Sequence, residues 1–100
     1  MQINISTRHG NLSEAAQTKI TEKVEKLGRF IERVSKIDIT VDLEKADQPA
    51  ISLVVTTELK KEFKADYSSD NLYGCLDQVI DKLENQMRKF KEKLTDHGKK

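Results

Sequence analysis

Apolar residues recur every three or four positions in two parts of the chain. The segment 71–94 carries such a stripe at Leu72, Leu76, Val79, Leu83, Met87, Phe90 and Leu94. An earlier stripe consists of Ala16, Ile20, Val24, Leu27, Ile31 and Val34. This spacing is typical of a helix that buries one face. We therefore predict a first helix over about 13–34, with Ser13 as its N-cap, and a second over 71–94, capped by the polar run that ends at Asn71.

Elsewhere apolar and polar residues alternate, which is the period of a half-buried strand. The alternating segments are 2–7, 36–44, about 50–58 and 62–67. Short connections predict an antiparallel meander for the last three strands, and a helical crossover allows the first strand to lie parallel to the second. The order β-α-β-β-β-α thus predicts an α+β fold, a four-stranded mixed sheet with two helices packed on one face. We expect one domain over 1–95, followed by a short polar basic tail at 96–100.

Length and composition narrow the class of protein. One hundred residues suffice for a single core, and the only cysteine, Cys75, excludes an internal disulfide. No apolar run approaches the ~20 residues of a membrane span, and residues 1–6 do not form a signal sequence. We therefore expect a cytoplasmic protein without a membrane partner.

Charge is segregated although the net charge is only +1. One edge of the final helix's apolar stripe carries Lys82, Gln86, Lys89 and Lys93. The first helix has a similar series, Lys19, Lys23, Lys26, Arg29 and Arg33. On one helix, such a series usually means a salt-bridged solvent face. Its repetition on two helices of one sheet favours a continuous basic surface that contacts a polyanion such as RNA.

Residue types that would support catalysis or metal binding do not converge in the sequence. Asp38, Asp42 and Glu44 project from one face of the second predicted strand, with no histidine or cysteine placed to join them. We interpret them as a solvated acidic sheet face, opposite the basic helices, that would help to orient the molecule toward RNA. His9 and His97 have no evident catalytic partner. We expect a protein that is not an enzyme and that needs no cofactor and no metal.

Two sequence blocks carry a family resemblance. NLYGCLD at 71–77 and IDKLENQ at 80–86, followed by Lys89, Lys91 and Lys93, resemble the signature of the ribosome hibernation promoting factors. This family is also called the sigma-54 modulation or ribosome-associated inhibitor (protein Y) family. The similarity extends to Asn4-Ile5, Lys23 and Lys26-Leu27 and covers essentially the whole chain.

The resemblance implies ribosome hibernation, a form of translation regulation in stationary phase or under stress. It implies binding in the small-subunit channel between head and body, where the protein would occlude mRNA and tRNA. The residues implied at or near the rRNA are Lys23, Lys26, Arg33, Lys82, Gln86, Lys89 and Lys93. Asn85 stands where the family usually has Arg, and Arg88, one turn later, is a candidate substitute.

The resemblance also bears on partners. The sequence ends soon after this domain, in Lys99-Lys100, so we expect neither the second, dimer-forming domain of the long family members nor the acidic tail of the protein Y branch. This favours the short hibernation-promoting type, which acts with a separate ribosome modulation factor, and we expect a monomer when the protein is free.

Two other functions fit the residues. A general double-stranded RNA-binding module would share the helix-on-sheet design and would bind naked duplex by its shape. A protein-interaction adaptor, such as a sigma-factor modulator, would bind its partner independently of ribosomes and with weak sensitivity to salt. Comparing free duplex with assembled small subunits distinguishes the first of these from a ribosome-specific factor.

Overall fold

The computed structural model describes residues 2–30, 34–45, 47–58 and 61–98, and their side chains except those of 29, 30 and 91–98. Its elements are, in chain order, β1 (Gln2–Arg8), α1 (Glu14–Phe30), β2 (Val34–Asp42), β3 (Ala50–Thr57), β4 (Glu62–Ser68) and α2 (Leu72–Gly98). The predicted order β-α-β-β-β-α is confirmed.

The four strands form one mixed sheet in the order β1-β2-β3-β4. β1 pairs with β2 in parallel, with Ile3 opposite Ile37. The β2–β3 and β3–β4 pairs are antiparallel, as short connections require. The predicted mixed sheet is therefore confirmed, and β1 and β4 are its two edges.

The core lies between the sheet and the two helices. Its fully buried side chains come from alternate positions of the strands and from one stripe of each helix. They include Ile20, Val24, Leu27, Ile37, Ile39, Val41, Ile51, Leu53, Val55, Leu76, Val79, Leu83 and Met87. α1 and α2 contact each other, and α2 packs over β3 and β4. This packing fixes which flank of each helix faces its neighbours and which faces solvent.

Both predicted helix caps are confirmed. The hydroxyl oxygen of Ser13 accepts a hydrogen bond from the backbone N–H of Ala16 at 3.1 Å. The side-chain oxygen of Asn71 accepts one from the N–H of Gly74 at 3.0 Å. Each bond satisfies one of the backbone donors that the first turn of a helix leaves free. The starts of both helices are therefore set by local sequence.

The boundary between α1 and β2 differs from the prediction. The helix assignment ends at Phe30, whereas β2 already includes Val34 and ends at Asp42 instead of residue 44. A register shift between Val34 and Lys36 explains why Val34 was assigned to the helix. Val34 and Ile37 are both buried although three residues apart, because a bulge inserts one residue into the alternation. Val34 therefore appeared to continue the helical period. Ile31 lies outside the described residues.

α2 is longer than the predicted ~24 residues. It has 27 residues and continues to Gly98, into the stretch expected to be a polar tail. The ring of Phe90 still packs edge-on against that of Phe63 at the start of β4, with centroids 5.5 Å apart. Despite this length, neither described helix is apolar enough to cross a membrane. α2, which carries the candidate lysines, therefore lies along the sheet at least as far as Phe90.

Cys75 provides a probe of this packing. Its thiol is fully buried, lies 2.9 Å from the Tyr67 carbonyl oxygen and has its pKa raised, chiefly by burial. Since the thiolate is the reactive form, we expect iodoacetamide to label the folded protein on the order of 100-fold more slowly than the urea-unfolded chain. Mass spectrometry of quenched samples measures this ratio, because the chain has no other cysteine. Equal rates would show that the start of α2 does not pack as described.

Candidate nucleic-acid interface

Two side chains of the predicted α2 stripe lie against the outer edge of β4. The Lys82 ammonium donates to the Asp66 carbonyl oxygen at 3.0 Å. Its Nζ also lies 5.0 Å from the centroid of the Tyr67 ring, within the range of a cation–π contact. The Gln86 amide donates to the Lys64 carbonyl oxygen at 2.8 Å. These contacts orient both side chains and cover part of an otherwise open sheet edge.

The partners of Lys82 leave its charge uncancelled. A carbonyl oxygen and a ring face orient an ammonium group without adding a negative formal charge. The described ion pairs are His9–Asp42, Lys23–Asp77, Lys36–Asp38 and Lys64–Glu62. Among the residues whose side chains are described, Lys82 and Lys89 thus have no carboxylate within ion-pair distance, and both are exposed. This flank of α2 is suited to binding an anion.

Lys61 extends the same flank and was missed in the sequence. Its Nζ lies 5.7 Å from the ring centroids of both Phe63 and Phe90. It lines a cleft of about 280 Å³ together with Gln86 and Lys89. Lys61 precedes β4, outside any helical period, so only the packing of β4 beside α2 reveals its position. We call Lys61, Lys82, Gln86 and Lys89 the β4-side patch.

The lysines of α1 face the other flank of α2. Lys23 Nζ lies 2.8 Å from a carboxylate oxygen of Asp77, and Lys19 Nζ lies 5.1 Å from the centroid of the Tyr73 ring. Lys26 is exposed and lines a cleft of about 250 Å³ with both of these lysines and with Glu22. We call Lys19, Lys23 and Lys26 the α1 lysine row. In the absence of a ligand, one of its charges is already paired.

The two basic groups do not merge into one stripe. Lys82 and Gln86 contact β4 on one flank of α2, whereas Asp77 contacts Lys23 on the other. Between these flanks runs the solvent face of α2, with Asp81, Asn85 and Arg88 exposed. The expected continuous basic surface is therefore divided by the ridge of α2, and a single polyanion would have to span that ridge.

Three of the predicted rRNA-binding residues belong to neither of these two basic groups. The Arg88 Nη1 lies 3.4 Å from the side-chain oxygen of Asn85, so the guanidinium is beside the position where the family usually has Arg. Arg33 lies outside the described residues. Lys93 is within α2, but its side chain lies outside the described part.

The prediction that no histidine joins the second-strand carboxylates was wrong. His9 Nδ1 lies 3.0 Å from a carboxylate oxygen of Asp42, which also accepts the backbone N–H of Glu44 at 3.0 Å. The Glu44 bond and then the His9 bond lower the pKa of Asp42, so these contacts favour folding at neutral pH and are lost as the carboxylate is protonated in acid. The parallel register, which pairs Arg8 with Asp42, brings the three residues together. These hydrogen bonds link the residues that follow β1 and β2 at the shared carboxyl ends of the two parallel strands.

The open sheet face is also less acidic than expected. Lys36 pairs with Asp38 at 3.4 Å, and Lys64 pairs with Glu62 at 3.7 Å. Lysines therefore neutralise part of the carboxylate charge on this face. The charge separation between the open sheet face and the helices is therefore smaller than the prediction from the carboxylates of β2 implied.

A family model and individual relatives assign this sequence to the same protein family. A family model described as Sigma 54 modulation protein / S30EA ribosomal protein matches residues 3–95. The ribosome hibernation promoting factor of Klebsiella oxytoca is 31% identical over 97 residues, which cover 97% of this chain and 100% of that protein. The Escherichia coli (strain K12) protein of the same name is 28% identical with the same coverage.

Solved structures share the fold. A ribosomal subunit interface protein from Coxiella burnetii has a TM-score of 0.77 and 27% identity, covering 92% of this chain and 99% of that chain. The Thermus thermophilus Protein Y N-terminal domain has a TM-score of 0.79 and covers 90% of this chain and 99% of that domain. At 19% identity, the second likeness bears on the fold alone.

Proposed function

The chain belongs to the Sigma 54 modulation protein / S30EA ribosomal protein family, and on that premise we propose that it is a ribosome hibernation factor. In this proposal it binds the small ribosomal subunit through basic residues of both helices and blocks the paths of mRNA and tRNA. Its site of action is the cytoplasm, where ribosomes translate, and a separate ribosome modulation factor is a candidate partner there.

The β4-side patch is the observation that carries the proposal. Three lysines and a glutamine lie along one flank of a packed helix, and Lys82 and Gln86 are held in place by backbone carbonyls of β4. Ordered cations lose little conformational freedom when they meet phosphates. The spacing of Lys82 and Lys89, seven residues or about 10 Å along the helix axis, lets them contact separate phosphates.

The α1 lysine row would contribute by exchanging partners. Lys23 would replace Asp77 with an rRNA phosphate. The side chain of Asp77 is 57% exposed, so breaking this pair costs less than about 1 kcal/mol. A phosphate chain that follows both flanks would cross the ridge of α2 beside Arg88. This gives Arg88 the role of the basic residue missing at Asn85.

Occupancy alone would account for inhibition. We expect the protein to lower translation stoichiometrically and to compete with mRNA and initiator tRNA for purified small subunits. Filter binding with labelled initiator tRNA and increasing amounts of protein measures this competition. Stoichiometric co-occupancy of one subunit by protein, mRNA and initiator tRNA would contradict the proposal.

A free-duplex arm distinguishes ribosome binding from general RNA binding. A ribosome-specific factor is expected to bind a 20-base-pair RNA duplex much more weakly than it binds small subunits at the same salt concentration. Equal affinities would favour a double-stranded RNA-binding module. Sedimentation of stationary-phase lysate, with detection of the protein in the ribosomal fractions, extends the test to the cell.

A further inference from the structure

An acidic groove runs along the β1 edge of the sheet, beside α1, and Glu22 at its margin also lines the cleft of the α1 lysine row. It has a volume of about 720 Å³. Ile3 and Ile5 are half-buried at its base, and all its charged lining residues among the described part of the chain are acidic: Glu14, Glu22 and Glu25. None of these carboxylates belongs to a described ion pair. The groove therefore combines an apolar base with a negatively charged wall.

The backbone of β1 provides a second recognition element. Among the described strands, β1 pairs only with β2 and lies at the end of the sheet. Alternate N–H and C=O groups of an edge strand point away from its neighbour and can accept another strand. Unlike the β4 edge, which Lys82 and Gln86 partly cover, β1 has no described side chain that donates to its outward carbonyls.

We propose that this acidic groove binds a basic, extended polypeptide segment, which adds a strand to β1 and places lysine or arginine side chains against the α1 glutamates. Strand addition is a known mode of peptide recognition, with backbone bonds supplying affinity and alternate side chains supplying specificity. Glu14 and Glu25 are eleven residues apart, or about 16 Å along the helix. That length matches about five residues of an extended strand, enough for two or three basic side chains on one face.

Charge argues against a second copy of this chain as the occupant. A two-fold β1–β1 pairing would continue the sheet and bring two α1 acidic flanks toward each other. Like charges across an interface oppose association. A basic peptide instead gains charge complementarity along the whole groove, and it leaves the β4-side patch and the α1 lysine row accessible.

The test uses the full chain and a fluorescein-labelled peptide of alternating Lys and Val, about seven residues long, with blocked ends. We expect saturable binding by anisotropy, weakening with salt, and backbone NMR shifts confined to β1 and the facing flank of α1. The triple variant Glu14→Gln, Glu22→Gln, Glu25→Gln should weaken binding about tenfold, from three exposed ion pairs. The control variant Glu44→Gln, Glu58→Gln, Glu62→Gln has the same net charge and should change affinity less than about twofold.

An N-methylated peptide of the same sequence tests strand addition on the unaltered protein. Methylation of alternate backbone nitrogens removes the donors that would pair with β1 but keeps the charge, so binding should be largely lost. The proposal is overturned if the first peptide does not bind, if both triple variants weaken it equally, or if the N-methylated peptide binds as well. Concentration-dependent dimerisation through β1, detected by sedimentation, would also overturn it in favour of a second copy.

Discussion

Changing both Lys82 and Lys89 to Glu is expected to lower the affinity for small ribosomal subunits about 30-fold or more at 0.1 M salt. Each phosphate contact contributes ~0.7–0.9 to the slope of log affinity against log salt concentration, so losing two contacts lowers this slope by twice that amount. At 0.1 M salt, one tenfold step below 1 M, the lower slope corresponds to an affinity loss of about 30-fold. The new carboxylates add repulsion. Filter binding at several salt concentrations gives both the affinity and the slope. The fold should persist, since both side chains are exposed.

The matched control changes Lys36 and Lys64 to Glu. These lysines lie on the open sheet face and alter the net charge by the same amount. Their present partners, Asp38 and Glu62, are partly or largely exposed, so the cost to folding is small. We expect little change in ribosome affinity or salt slope. If both double variants bind equally, the β4-side patch is an ordinary solvated helix flank.

A single change separates the two roles of Lys82. In Lys82→Gln the side chain keeps a donor for the Asp66 carbonyl but loses its charge. Phosphate binding predicts reduced affinity and a lower salt slope for this variant, with an unchanged unfolding midpoint. If Lys82 only covers the edge of β4, the variant should keep both the affinity and the salt slope of the unaltered protein.

Features that depend on local sequence were predicted well. The caps at Ser13 and Asn71 each involve hydrogen bonds within four residues. The apolar stripe of α2 and the alternation in β3 and β4 are also properties of short segments. Each of these elements has only one apolar face to bury. The prediction of helices packed on one face of a sheet followed from that.

Features that depend on register were missed. His9 meets Asp42 across 33 positions of sequence, and only the parallel pairing of β1 with β2 brings them together. Lys61 joins the β4-side patch because β4 packs beside α2. The bulge before Lys36 interrupts the strand period, so Val34 was assigned to the helix. Periodicity describes one element at a time and contains no information on how neighbouring elements align.

The division of the basic surface has the same origin. A helical wheel places the α2 stripe on one edge of its apolar face, but it does not show which neighbour lies beyond that edge. In the structure the neighbour is β4, whereas α1 lies on the other flank. The two sets of lysines therefore flank α2 instead of joining.

Leu83→Ala is expected to destabilise the folded protein by ~2–5 kcal/mol, through loss of buried contacts and the cavity that remains. Leu83 is fully buried in the same core as Leu27. For a domain of this size the melting temperature should fall by roughly 10 °C or more, and urea denaturation gives the free energy directly. Gln78→Ala on the exposed face of the same helix is the control and should change stability by less than about 0.5 kcal/mol. Equal unfolding midpoints for the two variants would show that this stripe of α2 does not face the sheet, and the placement of the β4-side patch would fail with it.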